Sequence, residues 1–164
     1  MEVFMAELKT ILVPLDGSPL SEKALPLAMS LAKKFDSQII LVRALDFLHP
    51  TVLAPHLTTA TAQALTEAHE HSYLEAKNYL ETQQQELESQ GLRVQIILLD
   101  ISPAEGILEA AIHHQIDLIV MSTHGRGGLK RWAMGSIADK VARHAPCPVL
   151  LVRQNNEQAT EAAG

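Results

Sequence analysis

Five short stretches of the chain are apolar almost without interruption: Thr10–Val13, Ile39–Val42, Val94–Leu99, Leu118–Met121 and Val149–Val152. Each is rich in Ile, Val and Leu, and none alternates cleanly with polar residues. Strands of this kind are buried on both faces, as in a parallel sheet with helices above and below. The segments between them carry helical spacing. Ser18 caps a first helix with Pro19 at its first position and an apolar stripe of Leu20, Ala24, Leu27, Ala28 and Leu31. A long second helix runs from about Ala62 to Gln90 and closes at Gly91. Its buried face reads Leu65, Ala68, Ser72, Ala76, Tyr79, Leu80 and Leu87, a weak stripe that leaves part of the helix to solvent or a partner. Ser102, Pro103 and Glu105 make a capping box for a third helix, with Ile107, Leu108, Ala111 and Ile112 as its stripe. A fourth begins near Gly135 and carries Ile137, Ala138, Val141 and Ala142.

Strand alternates with helix throughout. This predicts a single-domain α/β fold, an open five-stranded parallel sheet with helices on both faces and a flavodoxin-like, Rossmann-like winding. The domain spans residues 9–153, after a short extension over 1–8. The tail over 154–164 has too little apolar content to pack and is expected to be disordered. Residues 46–61, with Pro50, Pro55 and a Thr-rich end, form the expected mobile loop.

Composition narrows the function. The chain has 164 residues, 47% of them hydrophobic and 4% aromatic, so its core is aliphatic. A net charge of −6 argues against a nucleic-acid binder, although Arg126, Lys130, Arg131, Lys140 and Arg143 make a local basic patch. The single cysteine, Cys147, excludes an intramolecular disulfide and reads as a small packed side chain. Neither a secretory signal nor a membrane-length apolar run is present, so a cytoplasmic protein with no membrane insertion is expected.

In a doubly wound sheet, ligands bind beyond the carboxyl ends of the strands, where the connections diverge. The fourth strand ends in Ser122, Thr123, His124, Gly125, Arg126, Gly127 and Gly128. The glycines permit positive φ and close backbone approach. Nine residues beyond Gly125 stand Gly135 and Ser136, at a helix start whose N–H groups and positive partial charge suit phosphate. Ser122, Thr123 and Ser136 add hydroxyl donors. The segment is not a Walker A loop, because Ser136 rather than lysine follows Gly135. It is not a dinucleotide fingerprint either, because Lys130 replaces the third glycine. Glycines after a strand also form plain turns, and the local pattern alone leaves both readings open. Asp16, before Gly17, is equally a turn former or an acceptor for a ribose or a metal-bound water.

The whole pattern resembles the universal stress protein family. The family signature is a glycine, two residues, a second glycine, nine residues, then Gly-Ser or Gly-Thr. Here it reads Ser122, two residues, Gly125, nine residues, Gly135 and Ser136. The opening ILVPLDGS and closing CPVLLVR resemble the family's first and last strands. The resemblance implies the strand order 3-2-1-4-5 and a site for ATP, or for ADP or AMP, with Mg²⁺ accompanying ATP. By resemblance Pro14, Asp16 and Ala44 line the base and ribose side. Ser122, Gly125, Arg126, Gly128, Gly135, Ser136 and Ile137 line the phosphate side, and Thr123, His124 and Gly127 complete the loop. One position departs from the pattern: Ser122 stands where the signature has glycine. A serine there weakens binding if the site needs positive φ, and serves through its hydroxyl if only a small residue is needed.

The resemblance further implies a homodimer paired through Val149–Val152, which the strand order places at a sheet edge. A dimeric stress-response sensor or regulator read by a protein partner is the leading expectation. The alternatives are a slow ATPase or phosphotransferase at the same site, and an interaction module that prefers AMP, a cyclic nucleotide or no nucleotide. No Ser-His-Asp spacing or carboxylate pair specifies hydrolysis. The eight histidines are scattered; His69 and His71, two apart on a helix, point to different faces and cannot share a metal by themselves.

Overall fold

The computed structural model of the protein describes residues 7–46, 58–123 and 134–153. Five strands form one sheet: β1 (Thr10–Pro14), β2 (Gln38–Ala44), β3 (Arg93–Leu99), β4 (Leu118–Ser122) and β5 (Val149–Val152). All pair in parallel, in the order β3-β2-β1-β4-β5. The expected fold and strand order are thus observed. Among the described residues five helices connect them: α1 (Pro19–Glu22), α2 (Leu25–Phe35), α3 (Thr59–Ser89), α4 (Pro103–His113) and α5 (Ser136–His144).

Alternation along the central strands divides the core in two. Ile11, Val13, Ile39 and Leu41 face one layer, where they pack with Ala28 and Ala32 of α2 and Leu80 and Leu87 of α3. Leu12, Ile40 and Val42 face the other, with Ile107 and Ala111 of α4 and Ala138 and Val141 of α5. Both faces of β1 and β2 are therefore dry, and this is why those strands read as unbroken apolar runs. The edge strand β3 differs: Arg93 and Gln95, on one face of it, are exposed.

The first predicted helix is two. Pro26 has no N–H to donate to the carbonyl of Glu22, so the backbone breaks at Lys23 and Ala24 and restarts as α2 with proline near its first position. Leu27, expected in the stripe, is exposed. The long helix α3 starts three residues earlier than predicted, because Thr58 caps it by accepting from the Thr61 backbone N–H at 3.3 Å. The Thr-rich end of the expected loop is thus a helix start, and the remainder, 47–57, lies outside the described residues. Only Ala76, Leu80 and Leu87 of α3 are buried, and Ala68 is exposed, so its first half stands away from the core. The capping box of α4 is side chain to side chain: the Ser102 hydroxyl meets the Glu105 carboxylate at 2.7 Å. Ile112 and Ala142, assigned to stripes, are exposed.

The adjacency of β1 and β4 sets the position of everything at the carboxyl edge. It is pinned at the opposite edge by Asp117, whose Oδ2 accepts from the backbone N–H groups of Lys9 and Thr10, both at 2.9 Å, and from the Thr10 hydroxyl at 3.0 Å. The Asp117 N–H in turn donates to the Thr10 carbonyl at 3.1 Å. One carboxylate thus ties together the starts of two strands, through residues 107 apart in sequence. On the α4 side, Gly106 admits a close approach. A Cβ there would stand 3.0 Å from the Cβ of Ala44, so glycine lets the start of α4 close against the end of β2.

Candidate functional site

From β1 the chain runs on toward α1 on one face of the sheet, and from β4 toward α5 on the other. Their carboxyl ends therefore separate and leave a cleft of about 620 Å³. Its walls come from elements that the sequence places far apart. Pro14 ends β1, and Asp16 follows it in the turn to α1. Ala44 ends β2, Ser122 ends β4 with Thr123 directly after, and Gly135, Ser136 and Ile137 open α5; all eight line the cleft. His124, Gly125, Arg126, Gly127 and Gly128 lie outside the described residues, as does Trp132.

Two backbone bonds gather the excursion after β4. The Thr123 N–H donates to the Val152 carbonyl at 3.1 Å, which holds Thr123 to β5. The Gly135 N–H donates to the Thr123 carbonyl at 2.9 Å, so the chain returns to the point it left. Ser122 and Thr123 are both buried, at 6% and 7% exposure, within the cleft wall. Gly135 occupies the cap position of α5 with φ −61° and ψ 148°, and no side chain caps the helix. The first-turn N–H groups of α5 are thus directed to the cleft mouth with their dipole. Met134 and Ile137, each 38% exposed, put apolar surface beside them.

Asp16 combines both of its sequence readings. Its Oδ1 accepts from the Ser18 N–H at 2.8 Å, an Asx turn, and the residue still lines the cleft. The Ser18 hydroxyl then caps α1 by accepting from the Ser21 N–H at 3.2 Å.

Residues 7–153 match the universal stress protein family. The chain belongs to that family. It is 33% identical over 150 residues to a universal stress protein of Methanocaldococcus jannaschii, covering 92% of this chain and 85% of the other. Among solved structures, MJ0577, a universal stress protein of the same archaeon, superposes with a TM-score of 0.79 at 29% identity, over 92% of this chain and 99% of that one. UspA from Lactobacillus plantarum gives 0.77 at 27% identity, over 90% and 99%. Two structures of the same fold, 20% and 19% identical, are family members in complex with cAMP and with dAMP.

The family signature does not mark every group at this cleft. Arg43, Ser72, Glu75, Pro103, Ile107 and Met121 also line it and were not assigned to the site from sequence. Arg43 had a signal: a cation directly after the apolar run 39–42, still within β2. Ser72 and Glu75 had none, because only the packing of α3 brings them to the rim. His69, read as a scattered surface histidine, is half-buried, with its Nε2 2.9 Å from Asp100 Oδ2, and joins α3 to the end of β3. The basic patch is partly neutralised, since Lys140 pairs with Glu105 and Arg143 with Asp139. Cys147 is half-buried, and burial together with the charge of Asp117 pushes its thiol above the usual range, away from nucleophilic reactivity. Among the described residues, no three His, Cys, Asp or Glu side chains gather as a metal site, and no helix is long and apolar enough to cross a membrane.

Behind the Asp16 turn, the Tyr79 hydroxyl donates to Glu22 Oε1 at 2.8 Å. Burial, then the Glu22 bond and charge, hold its pKa well above the ordinary value of about 10. A raised folded-state pKa gives stability that is complete below about pH 10 and is lost as pH climbs toward the raised value. Tyr79→Phe should therefore cost about 1 kcal/mol at pH 8 by urea unfolding, and the gap to wild type should close above about pH 10. A gap that stays constant to pH 11.5 contradicts this account of the bond.

Proposed function

We propose that this universal stress protein binds an adenine nucleotide, ATP in the first instance, in the cleft between β1 and β4, and acts as a dimeric regulator in a stress response. The observation that carries the reading is the convergence of all eight described residues of the expected site on one cleft, with an uncapped helix start at its mouth. In this reading the phosphates lie against the α5 N-terminus and the hydroxyls of Ser122, Thr123 and Ser136. The base and ribose lie between Pro14, Ala44 and Asp16, whose carboxylate takes the ribose hydroxyls. The cAMP and dAMP complexes of other members support an adenine nucleotide as the ligand class. Ser122 is compatible with it: the residue is the last of β4, within the parallel ladder to β5, and so occupies extended backbone that serine adopts without strain. A Mg²⁺ ion arriving with ATP would take most of its oxygens from phosphate and water, as Mg²⁺ commonly does, with Asp16 the carboxylate that the expected site offers.

Gly135→Val is the direct test. The backbone at Gly135 is extended and within reach of any residue, so valine adds bulk at the phosphate approach without positive-φ strain. Calorimetry should show ATP affinity reduced at least tenfold, about 1.4 kcal/mol, with the thermal midpoint of the free protein little changed. Unchanged affinity would remove the α5 start from the site.

The dimer in this proposal pairs β5 with its copy. β5 is an edge strand with Leu150 37% exposed, an apolar edge of the kind that proteins cover. Light scattering at micromolar concentration should return twice the chain mass, and a monomer refutes the pairing.

A further inference from the structure

We propose that Arg43 is a positioning residue for the ligand: its guanidinium, held on the ring of Tyr79, buttresses the Asp16 turn that takes the ribose hydroxyls. The inference rests on the nucleotide reading above and adds to it a residue outside the signature.

Arg43 sits near the end of β2, between Val42 and Ala44, and is only 7% exposed. By strand alternation it shares its face with Ile39 and Leu41, toward α2 and α3. A cation in that layer needs compensation, because removing a charge from water costs several kcal/mol. The structure supplies it from two helices. The guanidinium carbon lies 5.3 Å from the centroid of the Tyr79 ring on α3, within cation–π range. Tyr79 is itself tied to Glu22 of α1 through its hydroxyl. Burial and Glu22 dominate the raised pKa of Tyr79, with smaller contributions from Arg43, which lowers it, and Asp16, which raises it.

The guanidinium also lies against Gly17, in the turn after Asp16. A Cβ at Gly17 would stand 3.0 Å from an Arg43 terminal nitrogen and 3.2 Å from the guanidinium carbon. Gly17 is also in the left-handed region, at φ +82°. Glycine is thus needed there twice, for its backbone and for the room that Arg43 occupies. The neighbouring carboxylate of Asp16 accepts from the Ser18 N–H, so the turn has one preferred shape, and Arg43 supports it from the sheet side. Both Arg43 and Asp16 line the cleft. A planar cation can meet both ring and turn with its extended fork, which a point-charge ammonium cannot.

The consequence is selective. Loss of Arg43 should affect ligands in proportion to what they ask of Asp16. Calorimetry with ATP and with 2′,3′-dideoxy-ATP, on the full chain, separates this from a general loss of structure. Arg43→Met keeps the length and apolar stem, and should weaken ATP about tenfold while changing dideoxy-ATP less than twofold. Asp16→Asn retains the acceptor for the Ser18 N–H and should show the same pattern. The double variant should bind ATP no more weakly than the weaker single one. Tyr79→Leu removes the ring beneath the guanidinium within an apolar layer. It should weaken ATP about threefold and spare dideoxy-ATP, giving a second route if Arg43→Met fails to fold. Equal loss on both nucleotides, or no loss on either, overturns the positioning role. A wild-type protein that binds neither nucleotide overturns the nucleotide reading itself, and the inference with it.

Discussion

The structure depends on one topological constraint: β1 stands at the centre of the sheet, and the chain leaves it and β4 toward opposite faces. Right-handed crossovers wind α2 and α3 onto one face and α4 and α5 onto the other, so the connections after β1 and β4 part company. No local sequence feature makes a cleft there; the divergence does. The constraint holds only while β1 and β4 remain neighbours in register. Asp117 secures this from the far edge, with three donors on one carboxylate oxygen. Apolar packing on both faces makes the pairing cooperative, since Ile11 and Val13 belong to one core and Leu12 to the other.

Chemistry accumulates at the carboxyl edge because the fold leaves polar groups there partly uncovered. On the β4 side, short-range backbone bonds from Thr123 to β5 and from Gly135 to Thr123 gather a hydroxyl-bearing wall and a bare helix start. On the β1 side, order is imported from a distance. The Asp16 turn touches Arg43 of β2, Arg43 touches Tyr79 of α3, and Tyr79 is bonded to Glu22 of α1. The two walls thus differ in kind. One is built from local backbone geometry, the other from a cluster that spans four elements. The first half of α3 is joined to the end of β3 through His69 and Asp100, and it brings Ser72 and Glu75 to the same rim.

Much of this was legible before any coordinates. The five apolar runs marked the strands to within a residue or two, because a strand covered on both faces leaves few polar residues in its sequence. The cleft residues Asp16, Ser122 and Gly135 followed from strand ends and a helix start, and Pro14 and Ala44 from the resemblance to the family. What sequence missed was the part that depends on packing across layers. Pro26 breaks a helix that periodicity alone would continue, and the threonines before Ala62 cap a helix rather than end a loop. Ile112 and Ala142 stay exposed although their neighbours Ala111 and Val141 are buried, since one residue turns a helix by about 100°, and Ala68 lies in the half of α3 that stands away from the core. Arg43 is the instructive miss. It breaks the apolar pattern of β2, and the break marks a built interaction rather than a weaker strand.

The central claim is that a nucleotide occupies the β1–β4 cleft. A nuclear magnetic resonance titration of ¹⁵N-labelled protein with ATP tests it most directly. The account predicts that the largest amide shifts fall on Asp16, Ala44, Ser122, Thr123, Gly135, Ser136 and Ile137, with little change along the outer face of α2. Shifts confined to another surface, or none at millimolar ATP, would contradict it.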